Sequence, residues 1–195
     1  MPTQAPRPQS VPEDGAREER QRMSRLRQTI ARRLKDAQNT AAMLTTFNDV
    51  DMTAVMEARN KYKDLFAKKH DIKLGFMGFF TKAVCMALRD IPSVNASIEG
   101  DEIVYHPYVD ISVAVSITDG LITPIVTGAQ RRSVADINSV MADLAQRARS
   151  GKLKQDEFEG GSFSLSNLGM FGVDQFDAII NLPQAAILAV AAGVK

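Results

Sequence analysis

Ser162, Ser164 and Ser166 alternate with Phe163 and Leu165 between a glycine pair, Gly160-Gly161, and an Asn167-Leu168-Gly169 turn. Strand side chains point to opposite faces with a period of two, whereas a helix repeats every 3.6 residues. The alternation therefore predicts a strand with one serine face and one apolar face. Two readings of the serine face stand open. In one it is the polar, solvent-facing side of a half-buried strand. In the other, a hydroxyl at the strand's end, beside a tight turn, donates to an oxyanion developing on a substrate.

Such a strand needs a sheet and helices to bury its apolar side, and the chain is long enough to supply them. Its 195 residues, 45% hydrophobic and 24% charged, suit one globular domain with an appended tail. A net charge of +1 argues against a general polyanion binder, so no nucleic acid is expected as partner. No run of about 18 apolar residues is present and the N-terminus lacks a signal peptide's apolar core, so no membrane association is expected. The single cysteine, Cys85, lies in an apolar helical pattern and reads as a buried, inert thiol in a reducing, cytoplasmic setting. With only His70 and His106 beside it, no metal site of familiar spacing is expected. His70 reads as a surface residue at a helix C-terminus and His106, before Pro107, as a structural residue at a strand end.

Residues 1–21, rich in Pro, Gln, Glu and Arg, read as a flexible linker or tail, and 22–195 as the folded domain. Ser24 is a candidate N-cap for a helix carrying Met23, Leu26, Ile30, Leu34 and Ala37 on one side and Arg25, Arg27, Arg32, Arg33 and Lys35 elsewhere. The basic cluster reads first as a solvated face, with phosphate binding or a subunit contact as the alternative. A strand is expected over 43–50, then a helix capped by Asp51 or Thr53. A deeply buried helix near Phe76 to Arg89 is ended by Pro92. The second half predicts a hairpin over 96–105, a strand over 111–117, a turn at Asp119-Gly120 and a strand broken by Pro124. A helix boxed by Ser133 and Asp136 stops at Gly151, and the apolar run 185–191 reads as a strand buried on both faces. Together these give an α+β domain, a sheet with helices against one face.

Several segments together resemble the catalytic domain of dihydrolipoyl acyltransferases, the core components of 2-oxo acid dehydrogenase complexes. They are Arg27 to Leu34, Ala41 to Asp51, Lys73 to Met77 with Phe79 to Ala83, Val94-Asn95-Ala96, Asp119 to Pro124, Gly160 to Gly169, and Ile179-Ile180-Asn181. The resemblance runs in family order from about Arg22 to the last residue. Leu44 to Asn48 and Lys73 to Met77 look most like succinyltransferases of the 2-oxoglutarate complex. From Leu121 onward, including Ser166 to Gly172, the chain looks more like acetyltransferases of the pyruvate complex.

The resemblance implies a chloramphenicol-acetyltransferase-like, two-layer mixed sheet with helices on one face, assembled as trimers within a larger core. It implies transfer of an acyl group, succinyl or acetyl, between dihydrolipoamide and CoA, with CoA and the lipoyl group as substrates and no metal. Decarboxylase and dihydrolipoyl dehydrogenase components are the implied partners, in bacterial cytoplasm or a mitochondrial matrix. Ser166 matches the family's oxyanion donor. The family's general base is the histidine of a C-terminal His-x-x-x-Asp-Gly motif, supplied by the neighbouring subunit, and no such motif occurs in this sequence. The expectation is therefore a domain truncated at its C-terminus, with a catalytically inactive core or assembly fragment as the alternative.

Overall fold

The alternating segment forms a strand over Phe163–Asn167. A computed structural model describes residues 12–118 and 120–193 of the chain. Its helices are α1 (Pro12–Gly15, a single turn), α2 (Arg25–Thr40), α3 (Thr53–His70), α4 (Phe76–Asp90) and α5 (Val134–Arg149). Its strands are β1 (Ala96–Glu99), β2 (Glu102–Tyr105), β3 (Ile111–Val113), β4 (Val115–Ile117), β5 (Gly120–Ile122), β6 (Ile125–Val126), β7 (Phe163–Asn167) and β8 (Ile187–Val190).

The central sheet has the order β6-β3-β7-β8, with β6 antiparallel to β3 and the other neighbours parallel. β1-β2 and β4-β5 form separate antiparallel pairs. The β3–β7 register places Ile111 beside Phe163, Ser112 beside Ser164 and Val113 beside Leu165. One face is thus apolar and the other carries hydroxyls, as the period of two requires. The apolar face meets Val84, Cys85 and Leu88 of α4 and Leu144 of α5 in one core cluster with Ile111, Val126, Phe163 and Leu165. This is the mixed sheet with helices on one face that the sequence predicts.

Local chemistry sets the helix ends. Ser24 Oγ accepts from the Arg27 N–H at 3.3 Å to start α2. Asp51 accepts from the Thr53 N–H at 2.9 Å ahead of α3, but the N-cap of α3 is Met52, without a side-chain cap, and not the expected Asp51 or Thr53. The Ser133–Asp136 box closes in both directions, and its hydrogen bonds hold the Asp136 carboxyl below its usual range. Asn138 ties the helices together: its Oδ1 accepts from the Gly75 N–H at 3.0 Å, just before α4. A side chain at Gly78 would collide with the Asn138 amide, so a glycine is needed for α4 and α5 to approach this closely.

Several expectations are corrected. Residues 43–50 form no strand: Leu44, Phe47 and Val50 are exposed, and extended propensity without a partner ladder yields only extended chain. The predicted 111–117 strand breaks at Ala114 into β3 and β4, because β4 turns away to pair with β5. β8 is half-buried rather than enclosed, since it is the last strand of its sheet. α4 is buried along one face only, with Met86 exposed on another. Leu26 and Leu34 of α2 stay exposed, and Ala37 is its one buried residue. Asp119 and most of the predicted tail, residues 1–11, lie outside the described residues.

Two stability outcomes follow from this packing. Leu165 has no solvent exposure, so Leu165→Ala should lower unfolding free energy by about 2–5 kcal/mol in denaturant titration. Arg147 pairs with Glu157 at 2.6 Å and Asp143 at 2.8 Å. The Arg147 hydrogen bond, helped by the Lys154 N–H, holds the Glu157 carboxyl down to about 2 from an ordinary 4.5. The unfolded chain takes up this proton first, so the contribution is complete above about pH 4.5 and is lost as pH falls toward 2. Glu157→Gln should flatten the pH dependence of stability within that window.

Candidate functional site

Three hydroxyls project from the serine face of β7, and the structure commits two of them. Ser162 is buried; its Oγ accepts from the Asp110 N–H at 3.1 Å, and its own N–H donates to the Asp110 carbonyl at 2.8 Å. Ser164, also buried, donates its hydroxyl proton to Oε1 of Gln184. The solvent-facing reading of these two serines is therefore corrected. Gln184, in the segment leading into β8, meets Ser164, and each of the two hydroxyls has a polar partner, as buried groups must. Ser166 differs. It is half-buried at the strand's end, and its hydroxyl has no hydrogen-bond partner among the described residues.

The strand end that carries Ser166 is firmly held. Ser166 lies beside Ala189 of β8, and the Leu168 N–H donates to the Val190 carbonyl at 3.0 Å. Asn167 Oδ1 accepts from the Gly169 N–H at 2.9 Å, closing the turn, while its Nδ2 reaches Met77 Sδ of α4 at 3.2 Å. A side chain at Gly169 would run into the Ala191 carbonyl, so only glycine lets the turn pass beneath the chain after β8. The result is a hydroxyl without a hydrogen-bond partner among the described residues, carried on a strand end held from both sides.

The other candidates fall elsewhere. Cys85 is buried in the core, and burial pushes its thiol up despite the nearby Lys82 charge, so it is unsuited to nucleophilic work. His70 is the exposed last residue of α3, with its ring 4.7 Å from that of Phe66. His106 follows β2; its carbonyl accepts from Asn95 Nδ2 at 2.8 Å and its ring lies 5.4 Å from that of Tyr108. Arg25, Arg27, Arg32, Arg33 and Lys35 are all exposed on α2. Among the described residues no group of three or more His, Cys, Asp or Glu could hold a metal, and no helix is long and apolar enough to cross a membrane.

Clefts of about 500 and 380 Å³ open beside Arg131 and beside Cys85, and Ser166 lines neither. Ser166 is half-buried, outside both clefts. Sequence reasoning missed Gln184, the residue that covers the serine face. Its one signal was a polar side chain set between Pro183 and the apolar run 185–191.

The sequence profile of the 2-oxoacid dehydrogenases acyltransferase (catalytic domain) matches residues 15–195. The chain belongs to this acyltransferase family. It is 56% identical over 172 residues to the dihydrolipoyllysine-residue succinyltransferase component of the 2-oxoglutarate dehydrogenase complex from Bartonella vinsonii subsp. berkhoffii. That match covers 88% of this chain and 42% of the relative, so the chain spans about two fifths of that protein's length. The dihydrolipoamide acetyltransferase of Azotobacter vinelandii, studied for the role of a serine, a histidine and an asparagine in its catalytic mechanism, superposes with a TM-score of 0.90 at 31% identity. The likeness covers 96% of this chain and 78% of the Azotobacter chain. The cubic core of a pyruvate dehydrogenase multienzyme complex superposes with a TM-score of 0.88 at 33% identity, over 95% of this chain and 78% of that one. Membership of the acyltransferase family agrees with the resemblance read from the sequence and with the mixed sheet.

The contrast between the serines is measurable. Ser164→Ala leaves the buried Gln184 carbonyl without its donor and should cost about 1–3 kcal/mol of stability. Ser166→Ala removes a hydroxyl with no partner and should change stability by less than about 0.5 kcal/mol. Denaturant unfolding of the two variants side by side checks both values.

Proposed function

We propose that this chain is the acyl-transferring domain of a 2-oxo acid dehydrogenase complex, moving a succinyl group between dihydrolipoamide and CoA. The observation that carries the reading is the single uncommitted hydroxyl on the serine face, Ser166, fixed at a strand end within an acyltransferase-family fold. Succinyl is favoured over acetyl by the 56% identity to the Bartonella succinyltransferase component, against 31–33% for the two pyruvate-type structures. That similarity spans 172 of the 195 residues and so extends into both halves of the chain.

In this reading the CoA sulfur attacks the succinyl thioester carbon, a C–S bond forms, and negative charge builds on the carbonyl oxygen. Ser166 Oγ–H donates to that oxygen. Collapse of the tetrahedral species breaks the C–S bond to dihydrolipoamide, whose sulfur leaves as a thiolate and takes up a proton. A free thiol has a pKa of about 8.5, so a base is needed to raise the thiolate fraction at neutral pH. Neither histidine is hydrogen-bonded to Ser166 in this chain: His70 is exposed at the end of α3, and His106 stands beside Tyr108 after β2. In the family that the sequence resembles, this base is a histidine supplied by a neighbouring subunit. Self-assembly into a larger core is supported by the likeness to the cubic core of a pyruvate dehydrogenase multienzyme complex.

The test is transfer from succinyl- and acetyl-dihydrolipoamide to CoA, with Ser166→Ala beside the parent chain. The expected outcome is a preference for the succinyl donor and a fall in kcat of about 10²–10³-fold on removing the hydroxyl. Turnover that ignores Ser166→Ala overturns the oxyanion role. A folded parent chain with no turnover on either donor overturns the reading.

A further inference from the structure

We infer that Gln184 is a positioning residue for Ser166: its side-chain amide fixes which way the protons point across the serine face and anchors the strand that presents the free hydroxyl. The inference rests on the oxyanion reading of Ser166 for its functional meaning and on hydrogen bonds within this chain for its geometry.

Gln184 is buried, 5% exposed, and makes three hydrogen bonds to three different places. Its Nε2 donates to the Gly161 carbonyl at 2.8 Å and to Ser112 Oγ at 3.3 Å; its Oε1 accepts from Ser164 Oγ. The carbonyl decides the orientation. Gly161 O can only accept, so the NH₂ end of the amide must face it. The Oε1 end must then face Ser164, and that serine has to donate its only hydroxyl proton inward. One side chain therefore joins β3 at Ser112, the approach to β7 at Gly161, and β7 itself at Ser164. All three partners are uncharged.

Ser166 is two residues beyond Ser164 on the same face, so whatever holds Ser164 sets the direction from which Ser166 projects. The surroundings are shaped for this clamp. A side chain at Gly161 would collide with Ser112 Oγ and come within 3.2 Å of Gln184 Nε2, so the second glycine of the pair admits the amide. Ser112 and Ser164 are adjacent in the parallel register, so both hydroxyls meet the same amide. With Ser162 committed to Asp110 and Ser164 to Gln184, the one hydroxyl on β7 left to donate outward is that of Ser166.

Backbone amide hydrogen exchange tests the inference on the full chain, whether or not the chain turns over. Gln184→Leu keeps an apolar plug but removes all three bonds. It should speed exchange at Ser164 to Leu168 at least tenfold, while α4 and α5, which pack on the opposite face, stay within twofold of the parent. Gln184→Glu supplies a readout that loss of packing alone would not give. When protonated, its carboxyl still accepts from Ser164 and donates one O–H to Gly161; when ionised it has no donor and faces a carbonyl oxygen. Protection of β7 in Gln184→Glu, compared with the parent at the same pH, should thus be near normal at pH 5 and lost by pH 8. Unchanged β7 exchange in Gln184→Leu overturns the inference, as does a uniform increase over α4, α5 and β7. If Gln184→Leu does not fold, Gln184→Glu decides: perturbation that is equal at both pH values, misfolding at both included, overturns it. Ser166→Ala should leave this exchange pattern as in the parent, having no bond to lose. A failure of the oxyanion role therefore shows in transfer assays alone, separately from a failure of the clamp.

Discussion

The parallel pairing of β3 with β7 is the contact on which the rest of the domain depends. It joins segments about fifty residues apart and fixes a register that sets Ile111, Phe163 and Leu165 on one side and Ser112 and Ser164 on the other. A slip of one residue would turn the serines into the helix layer and the aromatic ring outward. Register is strongly specified because both faces punish the error. The helix side would bury hydroxyls without partners, and the Gln184 side would lose every acceptor and donor it now uses.

This division of labour accounts for how a strand can bear chemistry. A hydroxyl that stabilises developing charge gains most when it is held in place before the reaction, because no reorganisation is then needed as the charge appears. A loop supplies such a group with mobility; the end of a strand flanked by two others supplies it with a fixed direction. Asn167 and Gly169 close the chain immediately after Ser166, and Met77 of α4 is in contact with the same asparagine. The helical layer and the serine face therefore meet at the end of β7, and the proposed donor stands at that junction.

Much of the local structure was legible in the sequence because it is decided by near neighbours. Ser24 and the Ser133–Asp136 box act within three residues, and each does what its spacing implied. What the sequence concealed was decided by distant segments. The alternation revealed a serine face but not its cover, because Gln184 lies twenty residues downstream of Ser164 and carries no periodic mark. The run 185–191 has the composition of a central strand, yet its burial depends on whether a further strand lies beside it. Residues 43–50 have extended propensity, but a strand exists only where another pairs with it. The significance of Ser166 came from resemblance, and the structure added its contrast with two serines on the same face.

The place of Gln184 and β8 in the chain has a consequence for biosynthesis. β7 is an inner strand of its sheet, yet its outer neighbour and the amide that meets its Ser164 hydroxyl are both encoded after it. A chain emerging from the ribosome therefore exposes β7 with one edge unpaired and leaves Ser164, like Ser112 of β3, without its amide partner. Vectorial folding can assemble α4, α5, β3 and β7 in order, but the serine face locks only when residues 184–190 arrive. The segment that completes the candidate site is thus also the one that releases the nascent sheet from its most sticky state.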